Sequence, residues 1–273
     1  MLNLRIRASM LPGWNDCQRR SAAKQYRRQI EAQGFDLRSN KPTIGAAVGT
    51  SVHEAFAIAF TAKKDFCEIP KNSQLVEAAV EKLKKEAATG MEWDDTTPNL
   101  GVASTQISRM VSMCVDSILP VYTPYRVEYE AIVSAGDGFE FSGKLDLLTL
   151  DGILIDLKTG AVVRPYQAQL GGYSLLQKHE KKETGEAFSV REIQTIFVKR
   201  SPKYKAQDSP VVSEYNLQTC EMAAWHSIES IKSCMTSFLK SPDPWTFAAN
   251  PMSMMCRPQF CPAHGTNFCK MGV

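Results

Sequence analysis

The chain has 273 residues, of which 44% are hydrophobic, and its formal net charge is +3 at pH 7. This composition supports a substantial core, in one large domain or two modest ones. No stretch looks like a signal peptide, and none approaches the roughly 18 consecutive apolar residues of a membrane span, so we expect a cytoplasmic protein. Eight cysteines in such a protein favour metal binding or buried thiols over disulfides.

Positive charge is concentrated at the N-terminal end. Residues 1–45 carry a net charge of +6, which leaves −3 for the other residues. A basic segment on a near-neutral body fits a polyanionic partner, and it fits a solvated helix face about equally well. The basic residues are Arg5, Arg7, Arg19, Arg20, Lys24, Arg27, Arg28, Arg38 and Lys41.

Helical patterns dominate the first 120 residues. The predicted helices cover about 16–33, 43–62, 73–89 and 102–119. Asn15 or Asp16 is expected to cap the first helix, which ends at Gly34. Thr43 opens the second, in which Gly45 and Gly49 share one face with His53.

The pattern then changes to strands with β-branched and apolar residues. Strands are predicted at 125–134, 139–150, 152–158, 192–199 and 210–215, and helices at 165–178 and 217–240. Residues 179–186 are predicted to form a charged surface loop. This order predicts an α/β fold, in which a mixed central β-sheet is flanked by helices. We expect one domain over 1–273, with a helical N-terminal part (1–120), an α/β core (121–216), and a C-terminal helix followed by a cysteine-rich tail (217–273).

The segment GILIDLKTG (152–160) places two charges in a strand that is otherwise apolar. Asp156 and Lys158 are two residues apart and therefore point to the same face. Whether Asp146 of the segment GKLD joins them depends on the hairpin loop. A two-residue loop would put the aspartates on opposite faces, whereas a three-residue loop sets them directly across from each other. We predict the three-residue loop, because Gly152 can supply the left-handed residue that it needs.

Two facing carboxylates repel each other unless a cation lies between them. A hard divalent ion, Mg²⁺ or Mn²⁺, would solve this problem and could activate a water molecule and polarise a phosphate. The ammonium of Lys158 would then orient that water or stabilise the developing negative charge. The alternative is a purely structural Asp–Lys pair on the sheet.

The segments GKLD and IDLKTG resemble the metal-binding core of the PD-(D/E)XK nuclease superfamily, most of all its RecB-like exonuclease branch, which includes CRISPR-associated and phage-encoded members. A histidine on an upstream helix (His53 in GTSVHEAF) and a Q-x-x-x-Y motif (Gln169 and Tyr173) also match. The resemblance implies a restriction-endonuclease-like core. The chain departs from the pattern in using Asp156 where glutamate is commoner, and it lacks the proline of the superfamily's name.

The resemblance implies a role for each matching residue. Asp146 and Asp156 would bind the catalytic metal with support from His53, and Lys158 would act at the hydrolytic water. Gln169 and Tyr173 would help to position the phosphate backbone. A glutamate on the preceding strand often joins such sites, and here it could be Glu128 or Glu130.

Three cysteines lie in the irregular tail, namely Cys256, Cys261 and Cys269. They are one short of a Cys₄ site. Iron–sulfur members of the RecB-like branch supply the fourth ligand from an N-terminal helix, and the similar segment SMLPGWNDCQRR implies Cys17. A 4Fe–4S cluster is therefore expected, with structural zinc, and His264 as a possible ligand, as the alternative. The other cysteines (Cys67, Cys114, Cys220 and Cys234) are expected to be packing residues.

The favoured function is a metal-dependent DNA exonuclease that acts on single-stranded ends, in recombination, repair, or phage or CRISPR DNA processing. We expect DNA as its partner, with recombination or CRISPR proteins as further candidates, and no membrane. One alternative is a non-catalytic DNA-binding recombination subunit that keeps the metal cluster. Another is a zinc-stabilised α/β protein with an unrelated role.

Overall fold

A computed structural model of the chain describes residues 4–185, 189–202 and 205–270, except for the side chains of 181–184. The strands are β1 Leu4–Arg7, β2 Pro124–Gly136, β3 Phe139–Thr149, β4 Ile153–Gly160, β5 Glu192–Lys199 and β6 Val211–Tyr215. The helices are α1 Leu11–Asp16, α2 Gln18–Gln25, α3 Arg27–Ala32, α4 Ile44–Phe66, α5 Asn72–Ala87, α6 Leu100–Ser117, α7 Gln167–Thr184 and α8 Leu217–Lys240. The predicted fold class is confirmed.

The six strands form one mixed sheet. β3 pairs antiparallel with β2 along one edge, and its other edge is shared between β1, which is parallel to it, and β4, which is antiparallel. β4 pairs parallel with β5, and β5 pairs antiparallel with β6. The parallel β4–β5 pair is joined by the crossover helix α7.

Helices cover both faces of the sheet and create two cores. Leu148 and Leu154 belong to the core formed with α1–α3, α7, α8 and the tail. Leu147 and Ile155 belong to the core formed with α4, α5 and α6. The strand that contains Asp156 is therefore buried on both faces, as its apolar pattern predicts.

Most predicted elements lie within a few residues of their observed bounds, but several predictions need correction. The single helix expected over 16–33 is divided into α2 and α3, because the backbone leaves the helical region at Tyr26. The predicted cap at Asn15 or Asp16 is wrong, since both residues end α1 and the extended Cys17 (φ −157°) precedes α2. The predicted loop at 179–186 is wrong for 179–184, which continue α7, while residue 186 lies outside the described residues. The short strand β1 was not predicted.

The helix α4 is long and apolar enough to span a membrane by length and composition alone, with a mean hydropathy of 1.2. Its buried residues pack against α5, α6 and the sheet, and 56% of the apolar window is buried inside the protein. This burial is that of a core helix. Thr43 caps the helix as predicted, since its side chain accepts a hydrogen bond from the backbone N–H of Ala46.

Candidate functional site

The β3–β4 hairpin has the predicted three-residue loop. Leu147 pairs with Ile155 and Leu148 with Leu154, a register that places Asp146 across from Asp156. Gly152 is left-handed, with φ +87°, and a Cβ there would lie 2.8 Å from the Ser189 carbonyl oxygen. The turn therefore requires glycine for both its backbone conformation and its close packing.

Asp146 is buried and is held by two contacts. Its Oδ2 accepts a hydrogen bond from the backbone N–H of Leu157 at 2.7 Å, and its Oδ1 lies 3.4 Å from His53 Nδ1 on α4. Burial acts to raise the pKa of Asp146, but His53 and Lys158 outweigh it, so the pKa is lowered. Burial likewise acts to lower the pKa of His53, and the nearby Asp146 raises it overall. Asp146 is thus kept ionised.

Asp156, Lys158, Gln169 and Tyr173 form a continuous polar chain between β4 and α7. Lys158 Nζ lies 2.6 Å from Asp156 Oδ2 and donates to Gln169 Oε1 at 3.3 Å. Gln169 Nε2 donates to Tyr173 Oη at 2.7 Å and to Asp156 Oδ1 at 3.4 Å. The four predicted residues are therefore brought together, and Gln169 connects the other three.

The charges of Asp156 and Lys158 influence each other strongly. Burial raises the pKa of Asp156 to about 6, although Lys158 opposes the shift. Burial acts to lower the pKa of Lys158, but Asp156 and Asp146 raise it overall, so the lysine remains a cation. The ring of Tyr166 also lies 4.6 Å below its ammonium, an aromatic contact that sequence reasoning missed.

The structure distinguishes the two glutamates of β2. Glu128 lies across from Asp146 in the β2–β3 register, and its backbone is left-handed with φ +49°. Such a conformation is uncommon for a non-glycine residue, and strained backbone of this kind is enriched at functional sites. Glu130 pairs with Lys144 and is exposed. Glu128 is therefore the acidic residue of β2 that joins the site.

Three residues are close enough together to bind one metal ion. A nitrogen of His53 and carboxylate oxygens of Glu128 and Asp146 all lie within 4.8 Å of one another. Glu128 Oε1 is buried and has no hydrogen-bond donor among the described residues, as expected for an oxygen that a hard cation would bind. The predicted ligand Asp156 is not in this group; its Oδ2 is also buried without a hydrogen-bond partner among the described residues, and it lies 2.6 Å from Lys158 Nζ.

Two glycines allow helices to pack closely over the site. A Cβ at Gly143, the first residue of GKLD, would lie 2.8 Å from ring carbon Cε1 of Tyr173. A Cβ at Gly49 would lie 2.8 Å from Thr159 Oγ1, which keeps α4 and His53 close to β4. Gly49 was predicted to share a face of α4 with His53, whereas the role of Gly143 was not predicted.

The four predicted cysteine ligands line one cavity, although Cys17 is distant in sequence from the three in the tail. Cys17, Cys256, Cys261 and Cys269 share it with Arg20 and His264. The tail is held there by an aromatic cluster in which Phe238 of α8 contacts Phe247 and Phe268, with ring centroids 5.1 and 6.0 Å apart. These rings, rather than any local motif, bring the tail to α1 and α2.

Donors and positive charge surround the four sulfurs. The backbone N–H of Asn250 donates to Cys17 Sγ at 3.5 Å, and Arg19 donates to Cys269 Sγ at 3.8 Å. Arg19 is only 3% exposed, and Arg20 is 7% exposed. Arg20 is compensated by Asp16, 2.8 Å away, whereas the sulfur that Arg19 contacts is that of Cys269. Because burying a cation is costly without a compensating anion, the position of Arg19 suits a thiolate at Cys269.

The remaining cysteines differ from one another. Cys114 and Cys220 are buried packing residues, and burial raises their pKa values to about 12 and about 11. Cys234 is partly buried. The prediction is wrong for Cys67, which is exposed and ends α4 in a left-handed conformation.

The N-terminal basic residues are divided between the interior and the surface. Arg19 and Arg20 are buried at the cysteine cavity. Arg5 pairs with Glu140, and Arg27 donates to Glu31 and to two backbone carbonyl groups. Part of the charge therefore serves the fold, while Arg7, Lys24, Arg28, Arg38 and Lys41 are exposed.

No protein-family profile matches the sequence, and no curated protein matches it. Among solved structures, the chain is similar to a protein from Eubacterium rectale named "Putative exonuclease", with a TM-score of 0.58 and 12% identity. The match covers 93% of this chain and 88% of the other. A second structure, SSO0001, matches 81% of this chain and 94% of its own, at 10% identity and with a TM-score of 0.28, which is too low for a comparison of folds. The chain thus shares the fold of the Eubacterium protein.

Proposed function

We propose that the protein is a metal-dependent DNA nuclease of the PD-(D/E)XK type, in the RecB-like branch, and that it acts as an exonuclease on single-stranded ends. The observation that carries this proposal is the meeting of Asp146 and Asp156 across the β3–β4 hairpin, with Lys158 beside them. The shared fold with a protein named as an exonuclease supports it.

Asp146, Glu128 and His53 are suited to hold a divalent cation, and Asp156 lies across the hairpin from Asp146. When bound, Mg²⁺ or Mn²⁺ would supply an activated water and a polarised phosphate. The N–H of Leu157 fixes the Asp146 carboxylate, so that this ligand is oriented in advance. Lys158 would orient the attacking water or stabilise the charge that develops on the phosphate.

Gln169 and Tyr173 are more suited to hold Lys158 than to contact DNA directly. Both side chains are at least 95% buried. The carboxamide of Gln169 accepts from Lys158 through its oxygen and donates to Tyr173 through its nitrogen. This arrangement limits the position of the ammonium, which is what catalysis by a positioned charge requires.

The cysteine cavity is proposed to hold a 4Fe–4S cluster with a structural role. Tetrahedral zinc, with Zn–S bonds of about 2.3 Å, would bring its sulfurs to within about 4 Å of one another. Within the described ranges, no three of the four sulfurs lie within 4.8 Å of one another. In a cluster each thiolate binds a different iron, so a wider spacing favours the cluster over zinc. The proposed cluster would join α1 and α2 to the tail.

The function is tested by digestion of end-labelled linear and circular single-stranded DNA with Mn²⁺. We expect linear DNA to be shortened from an end and circles to survive. Cleavage of circles would instead indicate an endonuclease. Tight DNA binding without any cleavage would contradict the proposal and favour the non-catalytic recombination subunit. The cytoplasmic location and the recombination, repair, phage or CRISPR role remain proposals.

A further inference from the structure

Lys144, the second residue of GKLD, is connected to the candidate metal group through Glu128. Its ammonium pairs with Glu128 Oε2, while Glu128 Oε1 is buried and lacks a donor within the described chain. The carboxylate therefore has one oxygen neutralised by a lysine and one oxygen left for another cation.

Lys144 differs from Lys158 in its freedom to move. The Lys144 side chain is 56% exposed, whereas that of Lys158 is 16% exposed. An ion pair with an exposed lysine contributes little to stability, and the ammonium has a flexible four-carbon stem. Once another cation compensates the Glu128 carboxylate, the lysine can thus leave it at small cost.

We propose that Lys144 is a positioning residue that holds Glu128 while the metal site is empty, and that moves to a backbone phosphate of the nucleic acid once a divalent cation binds this carboxylate. The inference rests on the proposed function. A dication at Glu128 repels a neighbouring ammonium, and an exposed lysine at the edge of the site is available to an incoming polyanion. Metal binding would in this way create an additional phosphate contact.

The test measures the salt dependence of binding to a single-stranded oligonucleotide by fluorescence anisotropy, with either Mn²⁺ or EDTA. All proteins carry Lys158→Ala to suppress cleavage, and Lys144→Gln is compared with its parent. With Mn²⁺ we expect the slope of log K against log salt to be shallower by about 0.7 in Lys144→Gln, which is the contribution of one phosphate contact on a single strand. With EDTA the two slopes should agree, and Lys144→Arg should restore the steeper slope.

Lys178→Gln is the matched control, because Lys178 is 54% exposed and pairs with the largely buried Glu221 between α7 and α8. It should leave both slopes unchanged. Equal slopes of Lys144→Gln and its parent with Mn²⁺ would overturn the proposal. A difference that persists in EDTA would overturn the exchange, because Lys144 would then contact phosphate without metal.

Calorimetric titration of the wild-type protein with Mn²⁺ separates this inference from the proposed function. A wild type that binds no Mn²⁺ and cuts no DNA overturns both. A wild type that binds Mn²⁺ and cuts DNA, while the salt slopes agree, overturns the role of Lys144 alone.

Discussion

The side chain of Asp146 accepts the backbone N–H of Leu157, 2.7 Å away on the neighbouring strand. The regular backbone pairing of β3 with β4 ends one residue earlier, at Leu147 and Ile155. A carboxylate has therefore replaced a ladder carbonyl at the point where Asp146 and Asp156 oppose each other. The hairpin register and the orientation of a proposed metal ligand are consequently set by the same contact.

Gly152→Ala should weaken metal binding by disturbing this register. The left-handed backbone and the close Ser189 carbonyl oxygen oppose a Cβ at this position, so we expect a loss of about 1–3 kcal/mol in the free energy of unfolding. Affinity for Mn²⁺ should fall as well. Urea unfolding and calorimetric titration measure the two effects.

Gly90→Ala is the control for this change. Gly90 is also left-handed, with φ +84°, but nothing lies within 4 Å of its added Cβ. The Gly90→Ala variant should be less stable than the wild type and should retain its affinity for Mn²⁺. Unchanged Mn²⁺ affinity in Gly152→Ala would contradict the importance of the turn.

Lys158→Ala should reduce cleavage by about 10²–10⁴-fold, the usual range for a positioned proton-transfer or charge-stabilising group. DNA affinity should change little, because this ammonium is largely buried between Asp156 and Gln169. Single-turnover cleavage and anisotropy separate the two quantities. Lys178→Ala should retain full cleavage, and near-normal cleavage by pure Lys158→Ala protein would rule out its catalytic role.

Gly143→Ala should lower activity through Tyr173. Its Cβ would lie 2.8 Å from both Tyr173 and Leu176, and overpacking of this kind costs about 1–3 kcal/mol. Because Tyr173 holds Gln169 and Gln169 holds Lys158, we expect the cleavage rate to fall more than Mn²⁺ affinity does.

Gly101→Ala, near the start of α6, is the companion variant, since its Cβ would meet an ordinary contact at 3.4 Å. It should be neutral or slightly stabilising. If Gly143→Ala kept the wild-type cleavage rate while being destabilised, Gly143 would serve packing alone.

Cys17→Ser should remove iron and colour and lower the melting temperature, because the proposed cluster joins residue 17 to the tail and closes a long loop. Cleavage by the protein that remains folded should be affected less. Cys234→Ser is the matched control, being also partly buried and also close to Gln18. Equal iron content in Cys17→Ser and wild type would exclude Cys17 as a ligand.

The sequence was most informative where the pattern is local. The apolar strand around Asp156 is buried on both faces, α8 covers 217–240 as predicted, and Gly152 gives the three-residue loop. These features follow from side-chain periodicity and from the conformation that one glycine permits.

Predictions failed where tertiary contacts overrode local preference. The helix expected over 16–33 begins only at Gln18 and breaks at Tyr26, and the extended Cys17 that precedes it lines the cysteine cavity. The charges of Arg19 and Arg20 looked like a surface for a polyanion, yet both side chains are buried beside that cavity. Residue types alone do not reveal such burial, because it depends on which distant segment covers them.

By itself, the sequence predicted the mixed α/β class and the hairpin register, which together place Asp146, Asp156 and Lys158 close to one another. Only the tertiary structure decided that Glu128 rather than Glu130 joins Asp146 and His53, and that Gln169 and Tyr173 hold Lys158 from a buried position. The hairpin register could be predicted because it follows from the alternation of side chains along one local hairpin. The choice between two glutamates two residues apart depends on the left-handed backbone at Glu128 and on the closeness of α4.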